Sequence, residues 1–222
     1  GVLVLLLSAG GCTSFELFRR WVVSDKKILE LEKATKQAEL QQLKKQINPH
    51  FLFNMLNNAN ILVKDAPDEA SQILEKLDNL LRYQLNDSTR REVFLTADIQ
   101  FLTSFLELEK VRRDHFEYTI FQEGNMENIC IPPLLFIPFV ENAVKHNLDS
   151  DNLSYVHLYF SVHNKQLTFR CENSKPRVPV KREGGIGLAN VKRRLDLLYE
   201  SRYTLQIEDK ETTYNVNLHL NL

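Results

Sequence analysis

Ile131–His146 reads IPPLLFIPFVENAVKH. The pair Pro132-Pro133 ends a strand and opens a helix running to about His146, because proline lacks the ladder N–H yet suits a first helical turn. On that helix Glu141, Asn142, Lys145 and His146 gather within one turn. Carboxylate and carboxamide oxygens suit a hard cation such as Mg²⁺, which keeps waters and binds phosphate oxygens. Lys145 offers phosphate a point charge. An isolated cluster of this kind is more simply a solvated polar face, so its surroundings decide.

On the C-terminal side, Tyr155–His163 and Gln166–Asn173 alternate apolar and polar residues around Asn164-Lys165, a hairpin signal. A polar, proline-containing connection leads to GGIGLANVKRRLDLLY, Gly184–Tyr199. Its glycines let the backbone turn tightly and approach a ligand, and the helix that follows offers free N–H groups to phosphate. A structural turn would use the same glycines. The segment lacks the GxxxxGK[ST] of a P-loop, and no strand leads into it as in a Rossmann element. Gly187–Tyr199 is helical, with Leu188, Val191, Leu195 and Leu198 on one face. Tyr203–Glu208 and Tyr214–Leu220 make a last hairpin. With Phe116, Tyr118 and Ile120 marking a further strand, this half reads as an α+β sandwich, one sheet covered by helices on one face.

The N-terminal half has helical periodicity instead. A third helix, about Thr96–Arg113, carries Ile99, Leu102, Phe105, Leu106 and Val111. Before it, Ala66-Pro67-Asp68 opens a helix with Ala70, Ile73, Leu74, Leu77, Leu80, Leu81 and Leu85 at helical spacing. A first helix begins near Asp25, and Leu40, Leu43, Ile47, His50, Asn54 and Asn57 form its seam. A second stripe, Phe51, Leu52, Met55 and Leu56, runs beside that seam. The pair makes an antiparallel hairpin that buries one face, so two copies complete a four-helix bundle. Pro49 removes the hydrogen bond to the carbonyl of Lys45 and opens the helix just before His50. Neutral imidazole, with a pKa of about 6.5, is a nucleophile near pH 7. His50 there is either a phosphoryl acceptor or a seam histidine packed in a bundle.

The chain has 222 residues, 43% hydrophobic and 26% charged, with a formal charge of −1. That composition is globular and gives no global electrostatic case for nucleic acid. Cys12, Cys130 and Cys171 lie too far apart for a zinc knuckle or redox pair and fit a reducing compartment. Val2–Ala9 is apolar but shorter than the roughly 20 residues of a span. With Arg19, Arg20, Trp21, Lys26 and Lys27 after it, it reads as the end of a transmembrane segment on its cytoplasmic side. A lipoprotein-like signal before Cys12 and a frayed hydrophobic end are the competing readings.

The order of these pieces matters more than any one of them. QINPHFLFNMLN, IPPLLFIPFVENAVKH and GGIGLANVKRRLDLLY together resemble the LytS/YehU-type sensor histidine kinases, over about Leu40 to Leu222. The resemblance implies a multi-domain α and α+β chain. A truncated transmembrane end and flank occupies 1–20 and a signalling helix 21–39. A dimerisation and phosphotransfer hairpin spans 40–90. An ATP-binding α/β sandwich of the GHKL type spans 91–222.

By that resemblance, His50 accepts the γ-phosphoryl group of ATP; from its own position, one turn later on the same face, Asn54 can orient the imidazole or a hydrolytic water. The alternative for Asn54 is a polar residue that sets helix register. Asn142 of the N-box binds Mg²⁺, with Glu141, Lys145 and His146 beside it. Gly185 and Gly187, preceded by Gly184 and followed by Leu188, hold the phosphates under a lid, Ser174–Glu183; on charge alone, Lys181 and Arg182 of that lid can touch phosphate. Phe51 follows His50 where most histidine kinases carry an acidic residue. Asn173 stands where the adenine-binding aspartate is usual, and Lys175 where a glycine is usual. The implied role is Mg·ATP-dependent autophosphorylation and transfer to an aspartate of a response regulator, of LytTR type. The implied setting is a homodimer at the inner bacterial membrane, core facing the cytoplasm, with no direct contact to nucleic acid. A non-catalytic dimeric scaffold with a degenerate nucleotide site is the alternative.

Overall fold

The computed structural model describes residues 1, 19, 21, 26–27, 30–31, 33–36, 49–147, 153–176 and 186–222. The apolar run Val2–Ala9, the seam residues Leu40, Leu43 and Ile47, the opening at Lys45, Cys12, Gly184, Gly185, Lys181 and Arg182 lie outside them. The chain divides into two compact units, Gly1–Lys45 and Gln46–Leu222. In the first, the described residues from 19 to 36 are helical, and Thr35 Oγ1 donates to the Leu31 carbonyl at 2.8 Å. None of the helices among the described residues is long and apolar enough to cross a membrane.

The second unit begins with α1 (Pro49–Leu62) and α2 (Pro67–Asn86), which pack on each other. Pro67 at the start of α2, followed by Asp68 and Glu69, suits the free N–H groups and positive dipole end there. The apolar stripe of α2 divides: Ala70, Ile73, Leu77 and Leu80 are buried, whereas Leu74 and Leu85 are exposed. A short 3₁₀ turn (Asp87–Thr89) and β1 (Val93–Phe94) lead into α3 (Leu95–Arg112). Helix α3 is buried on most of its circumference, as expected of a helix with packed neighbours on several sides. It lies between the hairpin and the sandwich, and one continuous apolar cluster runs from Phe51 to Leu220.

The remaining strands are β2 (Phe116–Glu123), β3 (Cys130–Ile131), β4 (Ser154–His163), β5 (Gln166–Ser174), β6 (Tyr203–Asp209) and β7 (Thr213–Asn221). A five-stranded sheet has the order β2-β4-β5-β7-β6, with β2 and β4 parallel and the other neighbours antiparallel. β1 pairs with β3 in a separate two-stranded ladder. Asn164 and Lys165 both have positive φ (49° and 62°), the geometry of a two-residue turn that matches strand twist. The inner sheet face presents Val156, Leu158, Phe160, Leu167, Phe169, Val216 and Leu218, all buried. Helices α4 (Ile137–His146) and α5 (Ile186–Tyr199) complete the layer: α4 packs on β4 and β5, and α5 packs on α4. Cys130 is exposed and Cys171 buried, both free.

One expectation needs correction. The proline pair does not open α4; the helix starts at Ile137, with Pro138 in its first turn. Between them Leu134 adopts φ +56°. Its N–H is held by the Asp98 carboxylate, and its carbonyl and that of Pro133 are held by Arg194. Backbone bound outward in this way cannot join the helical ladder.

Candidate active site

Helix α4 turns Ile137, Phe139, Val140, Ala143 and Val144 into the core. Its other face leaves Asn142 and Lys145 exposed, with Glu141 and His146 half-buried. Burial, then the negative charge of Glu109, pushes the Glu141 carboxyl up to about 7. Lys145 and His146 in the last turn complement the negative end of the helix dipole. That end is also pinned. Arg113 donates from Nη2 to the Val144 carbonyl and from Nη1 to Asn147 Oδ1, both at 3.0 Å. Asn147 is fully buried and donates on to the Tyr155 carbonyl at 3.2 Å. The Glu109 carboxylate, itself buried, takes Arg112 at 2.6 Å and Arg113 at 3.1 Å. Arg113 also lies over the Phe116 ring.

The start of α4 is held by a second polar set. Asp98 of α3 has no exposure, and its Oδ1 accepts Tyr83 Oη–H at 2.5 Å and Leu134 N–H at 3.0 Å. Burial pushes the Asp98 carboxyl above the usual carboxylate range, although these donors pull it down. Arg194 of α5, also buried, donates to the Leu134 carbonyl at 2.5 Å and to the Pro133 carbonyl.

At the end of β5, Phe169, Cys171 and Asn173 alternate onto the inner face and are buried. Asn173 donates its Nδ2 to the Ser174 carbonyl at 2.8 Å. Glu172 is on the opposite face, paired with Arg170 at 2.6 Å. Lys175 is tied to the β6–β7 turn, through Asp209 Oδ1 and the Lys210 carbonyl. Gly187 is the second residue of α5, and Leu188 next to it is partly exposed. Leu188 and Lys192 line a groove of about 500 Å³ with Tyr203, Thr204, Leu205 and Ile207 of β6. That groove includes no residue of α4 or β5.

His50 is the second residue of α1; the expected projection of its ring concerns a side chain outside the described ones. Phe51 beside it is buried, its ring centroid 4.9 Å from that of Phe105 on α3. Met55 is fully buried, while Leu56 of the same stripe is exposed and Asn54 is half-buried. Among the described residues no group of three or more His, Cys, Asp or Glu side chains is placed to hold a metal.

The histidine kinase family model matches residues 38–116. The chain is 30% identical over 203 residues to the sensor protein LytS of Staphylococcus haemolyticus, a match covering 85% of this chain and 35% of that protein. Across the matched residues the chain is similar to the LytS-type sensor histidine kinases. It is 32% identical over 119 residues to the sensor histidine kinase YpdA of Escherichia coli, covering 54% of this chain and 21% of the relative. The chain thus spans about a third or less of the length of these two relatives. Among solved structures, the histidine kinase domain of a blue-light-activated kinase from Erythrobacter litoralis superposes with a TM-score of 0.46 at 17% identity. That superposition covers 85% of this chain and 93% of that domain.

Sequence reasoning missed the residues that hold α4: Asp98, Tyr83 and Arg194 at one end, Glu109, Arg113 and Asn147 at the other. The spacing of Glu109 to Arg112 and Arg113, three and four residues on, was a readable ion-pair signal. Asp98 carried none, because its burial depends on partners distant in sequence.

Proposed function

We propose that this chain is the kinase core of a two-component sensor: it transfers the γ-phosphoryl group of ATP to His50 and then to an aspartate of a response regulator. The carrying observation is the N-box helix. Asn142 and Lys145 stand exposed on α4, with Glu141 half-buried beside them, and both ends of the helix are fixed by buried polar contacts. A site whose supports are rigid can neutralise phosphate charge without reorganising. Asn142 would hold Mg²⁺, with Lys145 near phosphate and His146 at the end of the same turn. A single amide fits this metal, which binds through one or two protein oxygens plus phosphate and water. When bound, Mg²⁺ supplies charge neutralisation on the phosphate oxygens. Gly185 and Gly187 would let the backbone approach the phosphates at the start of α5, with Leu188 bordering the nucleotide.

His50 is the attacking group in this reading. Its neighbour Phe51 packs on α3, so the acceptor's helix is anchored one residue from the acceptor. Asn54 would orient the imidazole. In-line transfer needs little covalent work from the protein beyond positioning. Exposed Phe53, Leu56, Leu74 and Leu85 on the hairpin support its pairing with a second copy as a four-helix bundle. The preceding segment would tether the core to the cytoplasmic face of the membrane, and a LytTR-type regulator would be the acceptor protein.

One observation favours the second reading, a dimeric scaffold that binds nucleotide poorly. Asn173 is buried with one of its two amide N–H groups on the Ser174 carbonyl, and the oxygen it could offer an adenine amino group is neutral where a carboxylate would be charged. Calorimetry of Mg·ATP with the wild type and with Asn142→Asp tests the pocket. The kinase reading expects saturable binding that Asn142→Asp weakens; an unchanged Kd rejects the pocket, and no binding by the wild type favours the scaffold.

A further inference from the structure

One short loop, Pro132–Phe136, leads into α4, is held by Arg194 of α5, and is linked to the hairpin through Asp98 of α3. Leu134 in that loop has φ +56°, a conformation unfavourable for leucine. Its N–H goes to Asp98 and its carbonyl to Arg194. Asp98 reaches back to the hairpin through Tyr83, whose ring stacks on Phe101 with centroids 4.7 Å apart. The set is buried, and besides the Tyr83 and Leu134 donors the Asp98 carboxyl meets the Phe136 N–H and the positive charge of Arg194. A buried carboxyl held by so few donors depends heavily on each of them.

We infer that Tyr83, Asp98 and Arg194 are positioning residues that set α4 against α5 according to how the His50 hairpin is docked. The inference rests on reading α4 and α5 as the nucleotide-binding helices. When the hairpin shifts, the Tyr83 hydroxyl leaves Asp98. Asp98 then holds the Leu134 N–H less firmly, and the loop entering α4 is left to Arg194 of α5. Each broken bond strands a buried polar group, so the loop has discrete arrangements rather than a continuum. The stimulus reaching the hairpin is thereby read at both helices. A set of merely structural staples would instead lose stability site by site, each loss independent of the others.

The test compares the whole chain with Tyr83→Phe, Arg194→Lys and the double variant. Tyr83→Phe keeps the ring on Phe101 and removes only the hydroxyl. Amide hydrogen exchange is followed in peptides 133–146 and 186–199, with 154–174 as the internal reference. Each single variant is expected to speed exchange about fivefold in both helices, the lower end of measured site-to-site couplings. The reference peptide should not change, and the double variant should exchange no faster than the faster single one. A Tyr83→Phe effect confined to 67–86, or a double variant showing the product of the two single effects, overturns the relay.

Labelling with radioactive ATP is the second arm. Tyr83→Phe should slow labelling about fivefold at saturating ATP, with the KM for ATP changed less than twofold. Arg194→Lys should chiefly raise that KM. Labelling of Tyr83→Phe at the wild-type rate also overturns the relay. A wild type that takes no label rejects the kinase reading, and the exchange result then decides the relay alone. If Arg194→Lys does not fold, the Tyr83→Phe exchange pattern decides by itself.

Discussion

The sandwich and the hairpin bury their apolar residues to very different extents. Phe160 and Phe169 of the inner sheet face form a ring cluster with Phe136 of the loop before α4, with no exposed surface and all within one chain. On the hairpin Phe53, Ile61 and Leu85 are each more than 60% exposed, although the opposite stripe is as buried as the sheet. A helix pair has two faces to cover and α3 covers only one of them. The difference separates a part that covers its own apolar surface from a part that leaves one face uncovered, the face a proposed four-helix bundle would use.

The largest effect is expected where the core is closed. Phe169→Ala should lose about 3–5 kcal/mol in urea unfolding; a loss below about 1 kcal/mol would mean the sheet is not sealed by α4. Next comes the pinned end of α4. Arg113→Met leaves Glu109 with Arg112 alone and strips donors from Val144 and Asn147, for a loss of about 2–4 kcal/mol by denaturant titration. An effect no larger than that of a surface arginine would remove Arg113 as a support.

The third prediction concerns pH. The Glu141 carboxyl rises from 4.5 to about 7 on folding, so the folded state favours its protonated form. That contribution is fully present below pH 4.5 and is lost as pH rises through about 7. Without divalent cation, Glu141→Gln should therefore stabilise the chain at pH 8 by roughly 1–3 kcal/mol and flatten this fall. A variant that melts in parallel with wild type from pH 5 to pH 8 contradicts it. The smallest effect is on the hairpin's outer face. Phe53→Ser should change folding of the protomer by less than about 0.5 kcal/mol while weakening self-association in sedimentation. A monomeric wild type would break the comparison itself.

Much of this fold is legible because it follows local periodicity. Ile73, Leu77 and Leu80 mark α2, Phe169 to Asn173 alternate as β5, and Asn164-Lys165 turns as such a pair should. The opening of α4 is not legible, since Leu134 is set by Asp98 and Arg194, which are remote in sequence. Helical spacing also cannot tell Leu77 from Leu85: both lie on the stripe, and only the neighbours decide which is covered. The candidate motifs can be picked out because proline, glycine and a cluster of polar side chains each have distinctive local chemistry. The residues that hold that cluster in place cannot.

The most direct test of the account is labelling with γ-³²P ATP of wild type against His50→Gln. The wild type should acquire phosphate that is acid-labile and alkali-stable, and His50→Gln should acquire none while still binding Mg·ATP. Equal labelling of the two proteins would contradict the assignment of His50 as the acceptor.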